Sequence, residues 1–218
     1  MVRRAVIFDF DGTLLDTLED LADSMNQALA ENGFPVHPAD AYRYFVGDGM
    51  ENLARRAAPP GTPPAGVKEL AARMRDIYRL GWSRRTRPYP GVVPLLAELR
   101  RLDRKIALLS NKPDSFTREM ARHYFGPSAF DLVFGAREGV PIKPDPAAAL
   151  EIARALGLAP ADFLYLGDTD TDMRTGRGAG MKTLGVAWGF RPPAELLAAG
   201  AEAIVHRPDE IPAFLGGG

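Results

Sequence analysis

The sequence contains no cysteine, which excludes a disulfide framework, a thiolate metal site, an iron–sulfur cluster and a thiol nucleophile. Any metal must be held by oxygen or nitrogen. Net charge is also almost absent: 27 basic against 28 acidic side chains leave −1, so no overall field favours nucleic acid. No apolar run approaches the roughly 18 residues needed to span a bilayer. The run that follows Met-Val-Arg-Arg is cut by acids far short of a signal-peptide core. The expectation from these absences is a cytoplasmic protein with neither a membrane nor a nucleic-acid partner. Histidine is scarce, and His37, His123 and His206 share no spacing that suggests a site. What is present suits an ordinary folded chain: 218 residues, 46% apolar and 25% charged, enough to bury a core and too apolar for disorder.

Short apolar runs, rich in β-branched or aromatic residues, recur at residues 5–10, 105–109, 132–134, 163–166, 183–187 and 203–205. Helical patterns separate most of them, as at 92–102, where Leu95, Leu96, Leu99 and Leu102 share a face, and at 147–156, which Gly157 closes. Strand–helix alternation predicts an α/β protein with a doubly wound, mostly parallel sheet and a Rossmann-like layer order. In such sheets ligands bind beyond the carboxyl ends of the strands. Residues 17–86 break the alternation. Helical patterns cover 17–31, about 39–58 and about 67–83, with a rigid proline-rich connection at 59–64. The expected organisation is a core formed by 1–16 and 87–218, with 17–86 an all-helical insertion after the first strand. Residues 51–90 hold nine basic and three acidic side chains and residues 1–50 hold three basic and nine acidic ones. Substrate steering and plain solvated helix faces both account for that asymmetry.

The first strand ends in Asp9-Phe10-Asp11-Gly12-Thr13. Strand alternation points residues 9 and 11 the same way, so two carboxylates converge where this architecture places its ligands. Gly12 lets the backbone turn and offer its amides to an anion. One carboxylate can attack an electrophile, the other can carry a proton, and both can hold Mg²⁺. A calcium loop would need glutamate at its twelfth position, and Asp20 stands there. Three further strand ends carry polar residues. Ser110-Asn111-Lys112-Pro113 offers a hydroxyl and fresh amides at the start of a helix, a phosphate cradle. Lys143, rigidly placed before Pro144, can neutralise charge near carboxylates and phosphate. Gly167-Asp168-Thr169-Asp170-Thr171-Asp172 ends a buried strand in three acids, whose oxygens suit Mg²⁺.

Taken in order, these four segments resemble the haloacid dehalogenase superfamily of phosphotransferases, over essentially the whole chain. Asp9-x-Asp11-Gly12-Thr13, Ser110, Lys143-Pro144 and Gly167-Asp168-x-x-x-Asp172 carry the resemblance, and 17–86 is similar to that family's cap. Asp9-Phe-Asp-Gly-Thr-Leu-Leu-Asp-Thr, Arg87-Pro-Tyr-Pro-Gly, Ser110-Asn-Lys-Pro and Gly176-Arg-Gly-Ala-Gly-Met are similar to the phosphoglycolate phosphatase-like branch. The resemblance implies that Asp9 is a nucleophile forming an aspartyl-phosphate and that Asp11 is the acid–base. Gly12, Thr13, Ser110 and Asn111 would bind the phosphoryl group, and Lys143 would offset charge. It implies Mg²⁺ as cofactor among Asp9, the Asp11 backbone carbonyl and Asp168, with Asp172 ordering waters or the lysine; Asp170 inherits no role. Asp11 favours phosphoryl transfer over carbon–halogen cleavage, because the superfamily's dehalogenases do not use this second aspartate.

The expected partner is a small phosphate ester, most simply 2-phosphoglycolate, and the expected assembly a monomer or homodimer. Pyrophosphatase, sugar-phosphate phosphatase and phosphomutase stand as alternatives within the superfamily, and a non-catalytic phosphate-binding regulatory protein as one outside catalysis. Substrate choice is expected in the cap, where Gly47 and Gly49 bracket an acid in a candidate lid loop and Arg43 stands near to meet a carboxylate or second phosphate.

Overall fold

The computed structural model describes residues 2–216. Six strands form one sheet: β1 (Ala5–Phe8), β2 (Lys105–Pro113), β3 (Leu132–Ala136), β4 (Phe163–Gly167), β5 (Lys182–Val186) and β6 (Ala203–Val205). Their spatial order is β3-β2-β1-β4-β5-β6, and every pairing is parallel. Strands covered on both faces must be apolar throughout rather than alternating. β1 (Ala-Val-Ile-Phe) and β4 (Phe-Leu-Tyr-Leu-Gly) are accordingly buried at every position.

Register sets where the polar residues emerge. Phe8 lies opposite both Leu108 and Leu166, so β1 and β4 end within a residue of each other while β2 runs on past them to Pro113. The Asp9 amide donates to the Leu166 carbonyl at 2.9 Å, carrying the ladder one residue beyond β1. The strand order reverses on either side of β1, the position at which a doubly wound sheet opens a crevice for ligands.

Contacts divide the chain into two compact units, residues 1–15 with 88–218 and residues 16–87. In the first, helices α5 (Val92–Arg101), α6 (Asp114–Phe125), α7 (Ala147–Ala155), α8 (Asp170–Gly178) and α9 (Pro193–Ala198) accompany the sheet. Ala5, Ile7, Ala107, Leu109, Phe163 and Tyr165 form one apolar face, covered by Ala148, Ala149, Ile152 and Ala153 of α7. The small alanines let that helix lie close on the strands.

The second unit contains α1 (Leu18–Glu31), α2 (Tyr42–Phe45), α3 (Met50–Ala57) and α4 (Pro64–Gly81). α1 buries Leu21, Met25, Ala28 and Leu29 along one stripe and packs on α4, which buries Val67, Leu70, Ala71, Met74 and Tyr78. Apolar residues at three- and four-residue spacing make such a stripe. Pro64 opens α4 at a first-turn position that needs no amide donor. The pattern at 39–58 is interrupted by Gly49, whose φ of 87° lies in the left-handed region and separates α2 from α3.

One local expectation is corrected. Ser110 was expected at a helix N-terminus, but β2 continues through it to Pro113 and α6 begins at Asp114. The chain stays extended there, and the β2–β3 register shifts between Leu109 and Pro113.

Candidate active site

Asp9 and Lys143 meet beneath the carboxyl end of β1. The Lys143 ammonium donates to Asp9 Oδ1 at 2.6 Å, to Asp172 Oδ1 at 2.7 Å and to the Leu109 carbonyl at 3.3 Å. All three side chains are buried. Burial pulls the lysine toward its neutral form, but the charges of Asp172 and Asp9 outweigh it and hold the ammonium well above the ordinary lysine range. Asp9 is pushed well up by burial and by the negative charge of Asp172, against the opposing pull of Lys143. Asn111 fixes the lysine from behind. Its amide donates to the Lys143 carbonyl at 3.0 Å, and its oxygen accepts from the Lys143 amide at 2.9 Å.

Asp172 reaches this site because it is the third residue of α8. Thr169 precedes the helix, its hydroxyl and amide both donating to Asp172 Oδ2, at 2.7 and 3.1 Å. This reciprocal cap satisfies amides that a helix start leaves open, and it leaves Asp172 Oδ1 for the lysine.

Asp168 follows β4 and is fully buried. Thr13 donates to its Oδ1 at 3.1 Å and the Phe190 amide to its Oδ2 at 2.8 Å. Gly12 and Gly189 are pressed against it: a Cβ on Gly12 would lie 2.2 Å from Asp168 Oδ2, and one on Gly189 would lie 2.2 Å from Asp168 Cβ. Trp188 completes this side by donating from its indole to the Thr13 carbonyl at 3.0 Å. The loop after β5 therefore clamps both the turn after β1 and the acid after β4.

The family model for haloacid dehalogenase-like hydrolases matches residues 6–186. The chain belongs to this family. It is similar to a phosphoglycolate phosphatase of Psychrobacter arcticus, with 34% identity covering 87% of this chain and 86% of the relative. A phosphoglycolate phosphatase of Pseudomonas putida is 33% identical, covering 86% of this chain and 70% of that one. Among solved structures, a candidate phosphoglycolate phosphatase from Lactobacillus delbrueckii subsp. bulgaricus superposes with a TM-score of 0.93 at 27% identity, covering all of both chains.

In this haloacid dehalogenase-like hydrolase the donor set fits a hard divalent cation. Asp9, Asp168 and Asp172 bring carboxylate oxygens within 4.8 Å of one another, all buried. Carboxylate oxygens are the ligands such ions prefer. The single lysine bridging Asp9 and Asp172 leaves the cluster with excess negative charge, and burial together with Asp172 drives Asp168 up to about 7. A cation would relieve that repulsion.

Of the residues expected on the phosphoryl group, Asn111 pairs through its side chain with the Lys143 backbone, and Thr13 donates from its hydroxyl to Asp168. The Asp11 carboxylate stands outside the three-acid cluster; its Oδ1 lies 3.1 Å from Lys112 Nζ. Ser110 is buried, and its hydroxyl accepts from the Lys112 amide at 3.1 Å. Thr169, Lys112 and the Trp188–Phe190 loop were not anticipated as parts of the site. For Thr169 a signal existed, a threonine three residues before an acid at a helix start.

The residues expected to set specificity lie in the helical unit. Gly47 and Gly49 have φ of 127° and 87°, allowing a tight loop around Asp48. Arg56 braces that loop, donating to the Phe45 carbonyl at 3.1 Å and pairing with Asp48. Arg43 is 3.4 Å from the exposed Asp40. Among the described residues no helix is long and apolar enough to cross a membrane.

Proposed function

We propose that the protein is a Mg²⁺-dependent phosphatase that hydrolyses a small phosphomonoester, 2-phosphoglycolate, through an aspartyl-phosphate on Asp9. The observation that supports it most is the buried Asp9 carboxylate, fixed on one oxygen by Lys143 at the switch point of the sheet. The phosphoglycolate phosphatases among its relatives supply the substrate.

In this reading Asp9 attacks phosphorus with the oxygen that Lys143 leaves open. Lys143 lowers the repulsion between that carboxylate and a dianionic phosphate. Asp11 gives its proton to the departing alcohol and then takes one from water. Ser110 donates to a phosphoryl oxygen, and the Gly12 and Thr13 amides, which donate to the Leu15 and Phe10 carbonyls at 2.8 and 3.4 Å, would turn from them to receive another. Asp9, the Asp11 carbonyl and Asp168 would hold Mg²⁺, with Asp172 serving Lys143; when bound, the ion neutralises charge on the transferring phosphoryl group. Arg43 and the 47–49 loop would read the remainder of the substrate.

Phosphate release from 2-phosphoglycolate, pyrophosphate, β-glucose 1-phosphate and p-nitrophenyl phosphate, with Mg²⁺ or EDTA, tests this. The expected result is Mg²⁺-dependent release favouring phosphoglycolate. Asp9→Asn should remove turnover, by at least about 10⁴-fold as for other nucleophile losses, while circular dichroism remains unchanged. Wild-type-like turnover in that variant would overturn the assignment, whereas preference for another ester would keep the mechanism and move the substrate.

A further inference from the structure

We propose that Lys112 is a positioning residue for Asp11, holding the carboxylate that carries the proton; the inference rests on the phosphatase reading above. Two lysines divide the two aspartates after β1. Lys143 contacts Asp9 and Asp172, and Lys112 Nζ lies 3.1 Å from Asp11 Oδ1. The exposures separate the roles: the Lys112 side chain is 2% exposed and that of Asp11 13%. Asp11 can therefore reach a leaving group, while the ammonium behind it is shielded from one.

The backbone around Lys112 is locked. Its amide donates to Ser110 Oγ at 3.1 Å, and its carbonyl accepts from Thr117 Oγ1 at 3.2 Å. Gly135 of β3 approaches so closely that a Cβ there would lie 2.7 Å from that same carbonyl. A buried ammonium is costly unless paired, so a fixed backbone with a buried charged tip serves to fix whatever it pairs with. Lys112 faces Oδ1 as an ion pair at 3.1 Å, not as a hydrogen-bond donor, and Oδ2 is left for the proton. In the first half-reaction an Asp9 oxygen bonds phosphorus, the ester P–O bond breaks, and the leaving oxygen takes the Asp11 proton. In the second, water gives a proton to Asp11 and its oxygen displaces Asp9 from phosphorus.

The test compares kcat/KM, which reports formation of the aspartyl-phosphate, for the best alkyl ester of the panel and for p-nitrophenyl phosphate, whose leaving group needs no proton. Lys112→Met should lower the alkyl ester by about 10²-fold, the scale of general acid catalysis, mostly in kcat, and p-nitrophenyl phosphate by less than about threefold. Lys112→Arg should recover part of the loss and serves if the methionine variant fails to fold. Asp11→Asn with Lys112→Met should be no slower than Asp11→Asn alone, because groups acting as a unit are not additive. Equal losses on both esters, or additive losses in the double variant, would overturn the proposal. Wild-type protein that hydrolyses neither ester would instead overturn the phosphatase reading and this inference with it.

Discussion

Asp168 is an acid whose charge this fold accommodates poorly. It is fully buried, Asp172 stands close, and its pKa is driven to about 7 by that burial and that neighbour, although the Phe190 amide, Thr13 and Lys143 all pull it down. The consequence for stability has a definite sign. A carboxyl whose folded pKa exceeds its unfolded value keeps a proton in the folded state that the unfolded chain has released. Stability is therefore lost as pH rises from about 4 toward 7. Asp168→Asn removes the charge and keeps the contacts, since the amide oxygen can accept from the Phe190 amide and the Thr13 hydroxyl can rotate to accept from the amide nitrogen. The metal-free variant should exceed metal-free wild type at neutral pH by on the order of 2 kcal/mol. Mg²⁺ should raise the melting temperature of wild type and leave the variant unmoved. Urea titrations in EDTA check the first and thermal melts with EDTA or Mg²⁺ the second, and a variant less stable than metal-free wild type would show that the site is not strained by its charges.

At the level of elements, the carboxyl ends of β1 and β4 are where the candidate site was legible in the sequence, because short, continuously apolar runs ending in acids read as buried strands feeding a polar edge. Asp9, Asp168 and Asp172 are candidates read that way, and the structure brings their carboxylate oxygens within 4.8 Å of one another. What could not be seen were contacts made across long sequence separations. Asn111 reads as a phosphate ligand from its neighbours in sequence, yet its partner is the backbone of Lys143. Nothing in the sequence singles out Lys112 from its neighbours in Ser110–Pro113; its place beside Asp11 follows from β2 staying extended to Pro113. The other end of β2 is held by Asp131, just before β3. It accepts from the Ile106 amide at 2.9 Å and from Arg100 at 2.7 Å, with Lys105 at 3.3 Å. Burial opposes its charge, but the Ile106 amide, Arg100 and Lys105 outweigh it and hold its pKa below the usual aspartate value. A lowered folded pKa contributes stability above the unfolded pKa that is lost as pH falls through the folded one. Asp131→Ala should cost on the order of 2 kcal/mol at neutral pH, the scale of hydrogen bonds to a charged group. The gap to wild type should narrow below about pH 4; a gap independent of pH would assign the loss to packing instead.

The whole chain divides into two compact units, each with its own buried core, and the function proposed above gives them separate tasks. The phosphate chemistry proposed above uses only residues of the unit formed by 1–15 and 88–218, and the residues proposed to read the rest of the substrate belong to 16–87. The helical unit has a buried anchor of its own. Asp20 on α1 accepts from the Arg85 amide at 3.0 Å, from the Thr86 amide at 2.9 Å and from the Thr86 hydroxyl at 2.8 Å. It thereby ties the end of the unit to its beginning. Removing one partner of a buried charged hydrogen-bond group leaves the others unsatisfied. Asp20→Ala should therefore cost the helical unit on the order of 3 kcal/mol while leaving every proposed catalytic residue in place. A ligand stabilises only the state that binds it. In calorimetry the variant should then show a lower transition insensitive to Mg²⁺ and an upper one that rises with Mg²⁺, both carried in wild type by units with separate cores. A single transition that Mg²⁺ shifts as a whole would mean that the two cores melt as one cooperative body, and the division of labour would then be chemical without being energetic.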